Sequence, residues 1–288
     1  MPTYPLSVEV NEKNLMAVTD IFKSAYKEIV DEIAGATNFG TYNRKAILSQ
    51  IEKILTDLGI DVDEFIKEEL PKYYKQGADQ AIKQLLHVGA EIKRAEGFNR
   101  IHRLAIVALV DETATAFGES ISGVNRSAQH LLGKAVKDQI TQEIALGKIK
   151  GEALKTVTNN IKALLKEEGL DALVDKAGRG WTLDRYAEML VRTKAVEARN
   201  RGLMNRMVEN DYDLVQVSDH GTDHEACAVW ESKVLSVTGL TPGYKTVEEA
   251  RQAGLFHPNC QHAINALVPD LAERTKAYDP DREDYFTS

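Results

Sequence analysis

"NRGLMNRMVENDYDLVQVS", residues 200–218, contains a change of period. Up to Asp211 the chain reads as the end of a long amphipathic helix. After it the period is two, that of a half-buried strand. The helix reaches back through "TLDRYAEMLVRTKAVEARNRGLMNRMVEND" (182–211), where Leu183, Tyr186, Leu190, Ala195 and Ala198 supply an apolar edge. Arg185, Arg192, Lys194, Arg199, Arg201 and Arg206 crowd positive charge along it. That charge reads as a solvated face with intrahelical pairs such as Glu188 with Arg192. Arg192 and Thr193 sit mid-helix, where threonine is a mediocre helix former. Tertiary contacts are therefore expected of them, with Arg192 reaching a carboxylate or carbonyl near the turns that follow.

Downstream, "YDLVQVS" (212–218) and "KVLSVTG" (233–239) read as two short strands, with "DHGTDHEACAVWES" between them. "YKTVEEARQAGLF" (244–256) reads as one or two helical turns, and "HPNCQHAINALVP" (257–269) follows.

Upstream, the chain reads as helix after helix. Leu15, Val18, Ile21, Phe22, Ala25, Ile29 and Ile33 keep helical spacing, with Asn11 as a cap and Gly35 past the end. A second run holds Ile47, Ile51, Ile54, Leu55 and Leu58 and stops at Gly59. A third starts near Val62 and continues past Pro71 as Tyr74, Ala78, Ile82, Leu85 and Leu86, with Pro71 opening a new helix or kinking this one. "FNRIHRLAIVALVDETATAF" (98–117) is apolar on most sides and is expected to be central. Residues 124–147 and 151–169 give two more helices, and "GLDALVDKAGRGWTL" (169–183) breaks the pattern with three glycines. The fold class is mainly α. A helical region over 1–168 precedes a small α+β module over 169–268, whose short β-hairpin is closed by a His/Cys knuckle. A charged tail over 269–288 is expected to be loose or laid on a neighbour.

The composition is that of an ordinary soluble globular chain: 288 residues, 43% hydrophobic and 28% charged. The first fifteen residues lack the basic and apolar regions of a signal peptide, and no apolar run is long enough to span a membrane. A net charge of −8 repels DNA phosphates at long range, which leaves DNA contact to a local basic face.

The two cysteines and four of the seven histidines fall between His220 and His262. His224-x-x-Cys227 and His257-x-x-Cys260 are separated by 29 residues. Such spacing lets two side chains on one tight turn face one ion, and two such turns supply the four ligands of tetrahedral zinc. His262 and His220 are substitutes just outside each pair. Pro258 fixes φ at the second turn and leaves Asn259 to take an unusual dihedral. The other reading is a metal-free knuckle, with Cys227 and Cys260 buried as small hydrophobes and the histidines hydrogen-bonded to backbone. In a reducing compartment a Cys227–Cys260 disulfide is not expected. Enzyme signatures are incomplete. A zinc deaminase needs His-x-Glu and Pro-Cys-x-x-Cys, a zincin needs His-Glu-x-x-His, and neither is present. A Cys260/His257 nucleophile pair lacks a third orienting group. A metal-dependent hydrolase or nuclease would draw on His257, His262 and Asp223, with Glu225 as a further base or ligand.

Taken in order, these segments resemble the phage minor capsid protein 2 family, which is related to the Mu F-like head morphogenesis proteins. The likeness covers about residues 178–268. It rests on the helix carrying Arg192-Thr193, the strand and His/Cys turn, Trp230-x-x-Lys233-Val234, and the closing His257-Pro258-Asn259-Cys260. Gln261 stands where the family often has arginine. His224 takes a place that is often cysteine in the Mu F-like relatives, so a metal site here is a mixed one. The resemblance implies a structural protein of a tailed-phage head rather than an enzyme. It would be found in the virion or prohead, and in the host cytoplasm during assembly. Its implied partners are the portal, the major capsid protein, or further copies of itself.

Overall fold

The computed structural model describes residues 12–35, 41–132, 154–167, 172–174, 180–219 and 221–269, and singly 139 and 142. The helix cap expected at Asn11, the tail from 270 and His220 lie outside the described residues. Among those described, helices predominate: α1 (Glu12–Ala34), α2 (Thr41–His87), α3 (Arg100–Leu131), α4 (Leu154–Glu167), α5 (Leu183–Glu209), and the short α6 (Glu225–Ala228) and α7 (Val247–Gln252). The strands are β1 (Ala172–Val174), β2 (Gly180–Thr182), β3 (Leu214–Val217), β4 (Val234–Ser236) and β5 (Ile264–Ala266).

The chain forms two compact units that interleave along the sequence. One takes Leu15–Ile66 and the described part of Glu112–Glu188. Its core is helical and includes Val18, Phe22, Ile29 and Ile33 of α1, Ile47, Ile51, Leu55 and Leu58 of α2, and Ile161 and Leu165 of α4. Phe22 and Phe117 meet with ring centroids 5.7 Å apart.

The other unit takes Lys67–Asp111 and the described part of Met189–Ser288, and it holds the module. Its sheet has the order β4-β3-β5, antiparallel throughout, with Val215 opposite both Leu235 and Ala266. Ala81 and Leu85 of α2 and Leu203 and Met207 of α5 share a core with Val215, Val217, Leu235, Ile264, Trp230 and Leu255. Each such leucine or valine contributes about 1.5–3 kcal/mol by leaving water. A sheet of this size is not stable alone, and the two helices give it the apolar face it needs. Buried amides join α2 to the sheet. Gln84 donates to Asn265 Oδ1 at 2.7 Å and accepts from the Ala266 N–H at 2.8 Å, while Gln80 also donates to Asn265. Gln84 thereby occupies a backbone donor on the edge strand β5.

Four expectations are corrected. First, α2 is one helix of 47 residues and runs through both Gly59 and Pro71, and α3 likewise joins two of the expected runs. Burial of Leu70, Tyr73 and Tyr74 around the proline offsets the hydrogen bond it removes. Second, α3 is not enclosed on all sides, since Ile101, Leu104 and Val107 are 60%, 57% and 56% exposed. Third, the glycine-broken stretch forms the antiparallel pair β1–β2, with Leu173 opposite Trp181. Fourth, the cations of α5 form the expected kind of intrahelical pair, and Arg185 is exposed, but they are not a uniformly solvated face. Arg206 is fully buried, and Glu197 gathers Lys194, Arg201 and Arg251. One strand, β5, was not anticipated. All three of its residues are buried, so it shows no alternation, and Asn265 at its centre disguises it.

Candidate functional site

Two turns build the site. The first is α6, whose N-cap is His224. The N–H groups of Cys227 and Ala228 both bond the His224 carbonyl, and Trp230 N–H bonds the Cys227 carbonyl. Trp230 is buried in the core, with Lys245 Nζ 5.5 Å from its ring centroid. The second turn runs from Phe256 to Cys260, where Phe256 and Asn259 take left-handed φ values of 62° and 65°. A left-handed asparagine is common and a left-handed phenylalanine is strained, so the surrounding packing must hold the turn. The Cys260 N–H bonds the His257 carbonyl at 2.9 Å. Gly254, at φ 108°, lets this segment approach α6, because a Cβ there would lie 2.7 Å from that of Ala226. Thr193 on α5 supplies the expected tertiary contact: its hydroxyl accepts the Asn259 N–H at 3.2 Å and donates to the Met189 carbonyl. Arg192, beside it, is half-buried.

The turns bring both cysteines and three histidines together. Cys227 Sγ lies 3.3 Å from His257 Nε2 and 3.7 Å from His224 Nδ1, and Cys260 Sγ lies 3.2 Å from His262 Nδ1. His224 and His257 stack with centroids 3.8 Å apart. The ligand atoms of His224, Cys227 and His257 lie within 4.8 Å of one another, and so do those of Cys227, Cys260 and His262. Cys227 therefore belongs to both groups. Asp223 and Glu225 are exposed and belong to neither, so the hydrolase reading gains no ligand from them. Both cysteines are free thiols. Burial pushes the Cys260 thiol up to about 11, which makes it a poor nucleophile at neutral pH.

Sequence reasoning missed Glu231. Its carboxylate accepts from His262 Nε2 at 3.1 Å and from the Thr222 N–H. The signal available was an acid directly after Trp230 and four residues after Cys227, because ligating histidines commonly hand their second ring nitrogen to a carboxylate.

Two other carboxylates brace the unit. Burial raises the Asp213 carboxyl, but hydroxyls of Ser236, Thr238 and Thr241 and the Thr238 N–H outweigh that and hold it far below the usual 3.8. Burial likewise raises Glu197, and Lys194, Arg251 and Arg201 more than offset it, bringing it from 4.5 to about 2. Both values are depressed on folding, so the stability they contribute is fully present above about pH 5 and is lost as pH falls through 4.5 and 3.8 toward 2. The melting temperature should drop across that window. Asp213→Asn should flatten the drop and cost on the order of 1–3 kcal/mol at pH 7. Calorimetric melts at stepped pH check both.

The family profile described as phage minor capsid protein 2 matches residues 33–285. A structural protein of Lactococcus phage LL-H is 25% identical over 134 residues, covering 43% of this chain and 36% of that protein. The chain thus spans about a third of the length of that relative. No solved structure matches. The match takes in α2 through β5 and with them the whole His/Cys module, and this chain belongs to the phage minor capsid protein 2 family.

Proposed function

We propose that the chain is a minor structural component of a tailed-phage head, a head morphogenesis protein that assembles with the portal or the major capsid protein and acts by interaction, not turnover. The family match over residues 33–285 carries this reading. It would assemble in the host cytoplasm and be retained in the prohead or virion. No helix among the described residues is long and apolar enough to cross a membrane. The stripe of Ile101, Leu104 and Val107 on α3 supports an interaction role: three large apolar side chains at three-residue spacing stand in water on one side of a helix. In this proposal a head-shell subunit covers them.

Mass spectrometry of purified proheads and virions should find the chain in at least one of them. Its absence from both would overturn the reading. Leu104→Glu, at a position already 57% exposed, should change stability by less than about 0.5 kcal/mol. It should still reduce incorporation into particles at least tenfold. Full incorporation of a folded Leu104→Glu chain would remove the stripe from the interface.

A further inference from the structure

The geometry points to a zinc-class divalent cation held by Cys227 Sγ, Cys260 Sγ and His262 Nδ1, which lie within 4.8 Å of one another, with His257 Nε2, 3.3 Å from the shared Cys227 Sγ, closing on the ion as the fourth ligand and with Glu231 and the Pro258 carbonyl as the outer shell. His224, which the sequence spacing pairs with Cys227, is left outside this set.

The choice among three histidines rests on what each ring does with its second nitrogen. His262 is 1% exposed, and its Nε2 donates to the Glu231 carboxylate at 3.1 Å. That fixes the proton on Nε2 and makes Nδ1 the unprotonated nitrogen, which accepts from Cys260 Sγ at 3.2 Å. His257 is fixed in the opposite sense. Its Nδ1 donates to the Pro258 carbonyl at 2.8 Å, so Nε2 is unprotonated and accepts from Cys227 Sγ at 3.3 Å. An imidazole that gives one N–H to an oxygen and turns its other nitrogen inward is oriented as a metal ligand. His224 is exposed, and its Nδ1 is the most distant of the three from a thiol, at 3.7 Å. Its ring lies on His257, where it shields that ring from solvent.

Two soft thiolates and two imidazoles suit a tetrahedral zinc ion and not magnesium or calcium, which take oxygen ligands. In the metal-free protein each thiol has an imidazole nitrogen as its acceptor. One divalent ion displaces both thiol protons, so the site binds M²⁺, releases two H⁺ and keeps its charge. The ligands come from before and after β4 in the chain, on turns 30 residues apart, so the ion ties the ends of the module together.

The test uses the full chain purified under reducing conditions, loaded with zinc alone or with cobalt(II) alone. Elemental analysis should give one zinc per chain, and cobalt should give the visible spectrum of a tetrahedral thiolate centre. His224→Ala should keep the ion and the spectrum. Cys260→Ser and His262→Ala should lose them. Glu231→Gln, which removes no ligand but loosens the hold on His262, should weaken zinc about 10–100-fold. Chelator should expose residues 212–268 to protease while α1 stays protected. A wild-type chain that binds neither ion overturns the site. Loss of the ion in His224→Ala with retention in His262→Ala overturns the assigned set. If His262→Ala does not fold, unchanged affinity in Glu231→Gln overturns it instead.

Discussion

Gly202→Ala is expected to destabilise the strand-bearing unit by about 3 kcal/mol, although alanine is the better helix former. Helices α2 and α5 cross there backbone to backbone. A Cβ on Gly202 would lie 2.0 Å from the Tyr74 carbonyl oxygen, and one on Gly77 would lie 1.8 Å from that of Arg199. Neither obstacle is the end of a flexible side chain. A methyl group fits only if the helices separate, and they are the two that cover the sheet. Separation would also loosen Ala81, Leu85, Leu203 and Met207 in the shared core. It would carry Thr193 away from the Asn259 turn. Gly77→Ala should behave in the same way. Gly118 in α3 is the control, because a Cβ there meets nothing within 4 Å. Gly118→Ala should therefore stabilise by about 0.5–1 kcal/mol through the ordinary helix preference. Urea titration followed by Trp230 fluorescence in a Trp181→Phe background measures the strand-bearing unit for Gly77 and Gly202, and calorimetry measures Gly118. A Gly202→Ala cost under 1 kcal/mol would mean that the crossing is looser than described.

That crossing is also a place where sequence reading stops. Helical periodicity located α1, α4 and α5 because each is amphipathic, and the change to a period of two located β3 and β4. Nothing local marks Gly77 and Gly202 as partners, since the requirement for glycine comes from another helix more than a hundred residues away. Local propensity makes Gly59 a break and Pro71 a new start or a kink, and packing overrides the break. The His/Cys turns were legible because few residue types do what cysteine and histidine do, and both pairs share one spacing. Which ring nitrogen faces which thiol was not legible. It depends on Glu231 and the Pro258 carbonyl, whose positions follow from how the turns fold. The charge on α5 was legible as composition but not as placement. A run of arginines reads the same whether its acids are neighbours on the helix or come from elsewhere, and Arg206 shows the difference.

Arg206→Ala should cost about 3–5 kcal/mol, because it strands a buried carboxylate. The Arg206 guanidinium donates to Glu209 Oε2 at 2.6 Å and to the Gly97 carbonyl at 2.7 Å, and it lies 5.6 Å from the Phe98 ring centroid. Glu209 in turn accepts from His102 Nε2 at 3.0 Å and from Asn99 at 2.7 Å. His102 Nδ1 accepts from the Tyr74 hydroxyl, which accepts from Asn205. The ring proton of His102 and the hydroxyl proton of Tyr74 therefore each have an assigned direction. Burial lowers the His102 value and pushes Tyr74 up to about 12, so both stay neutral at pH 7. Arg206 and the half-exposed Arg94 are then the cations that balance Glu209. Without Arg206 the carboxylate keeps only the partner that water already screens. The network joins α2, α3 and α5, so its loss should lower the melting temperature by about 10 °C. Arg206→Met combined with Glu209→Gln removes both charges while keeping volume and an acceptor for Asn99 and His102. This double variant should lose at least 1 kcal/mol less than Arg206→Met alone. A strictly additive pair would mean that the Arg206 guanidinium stabilises by packing on Phe98 and bonding Gly97, and that its charge adds nothing.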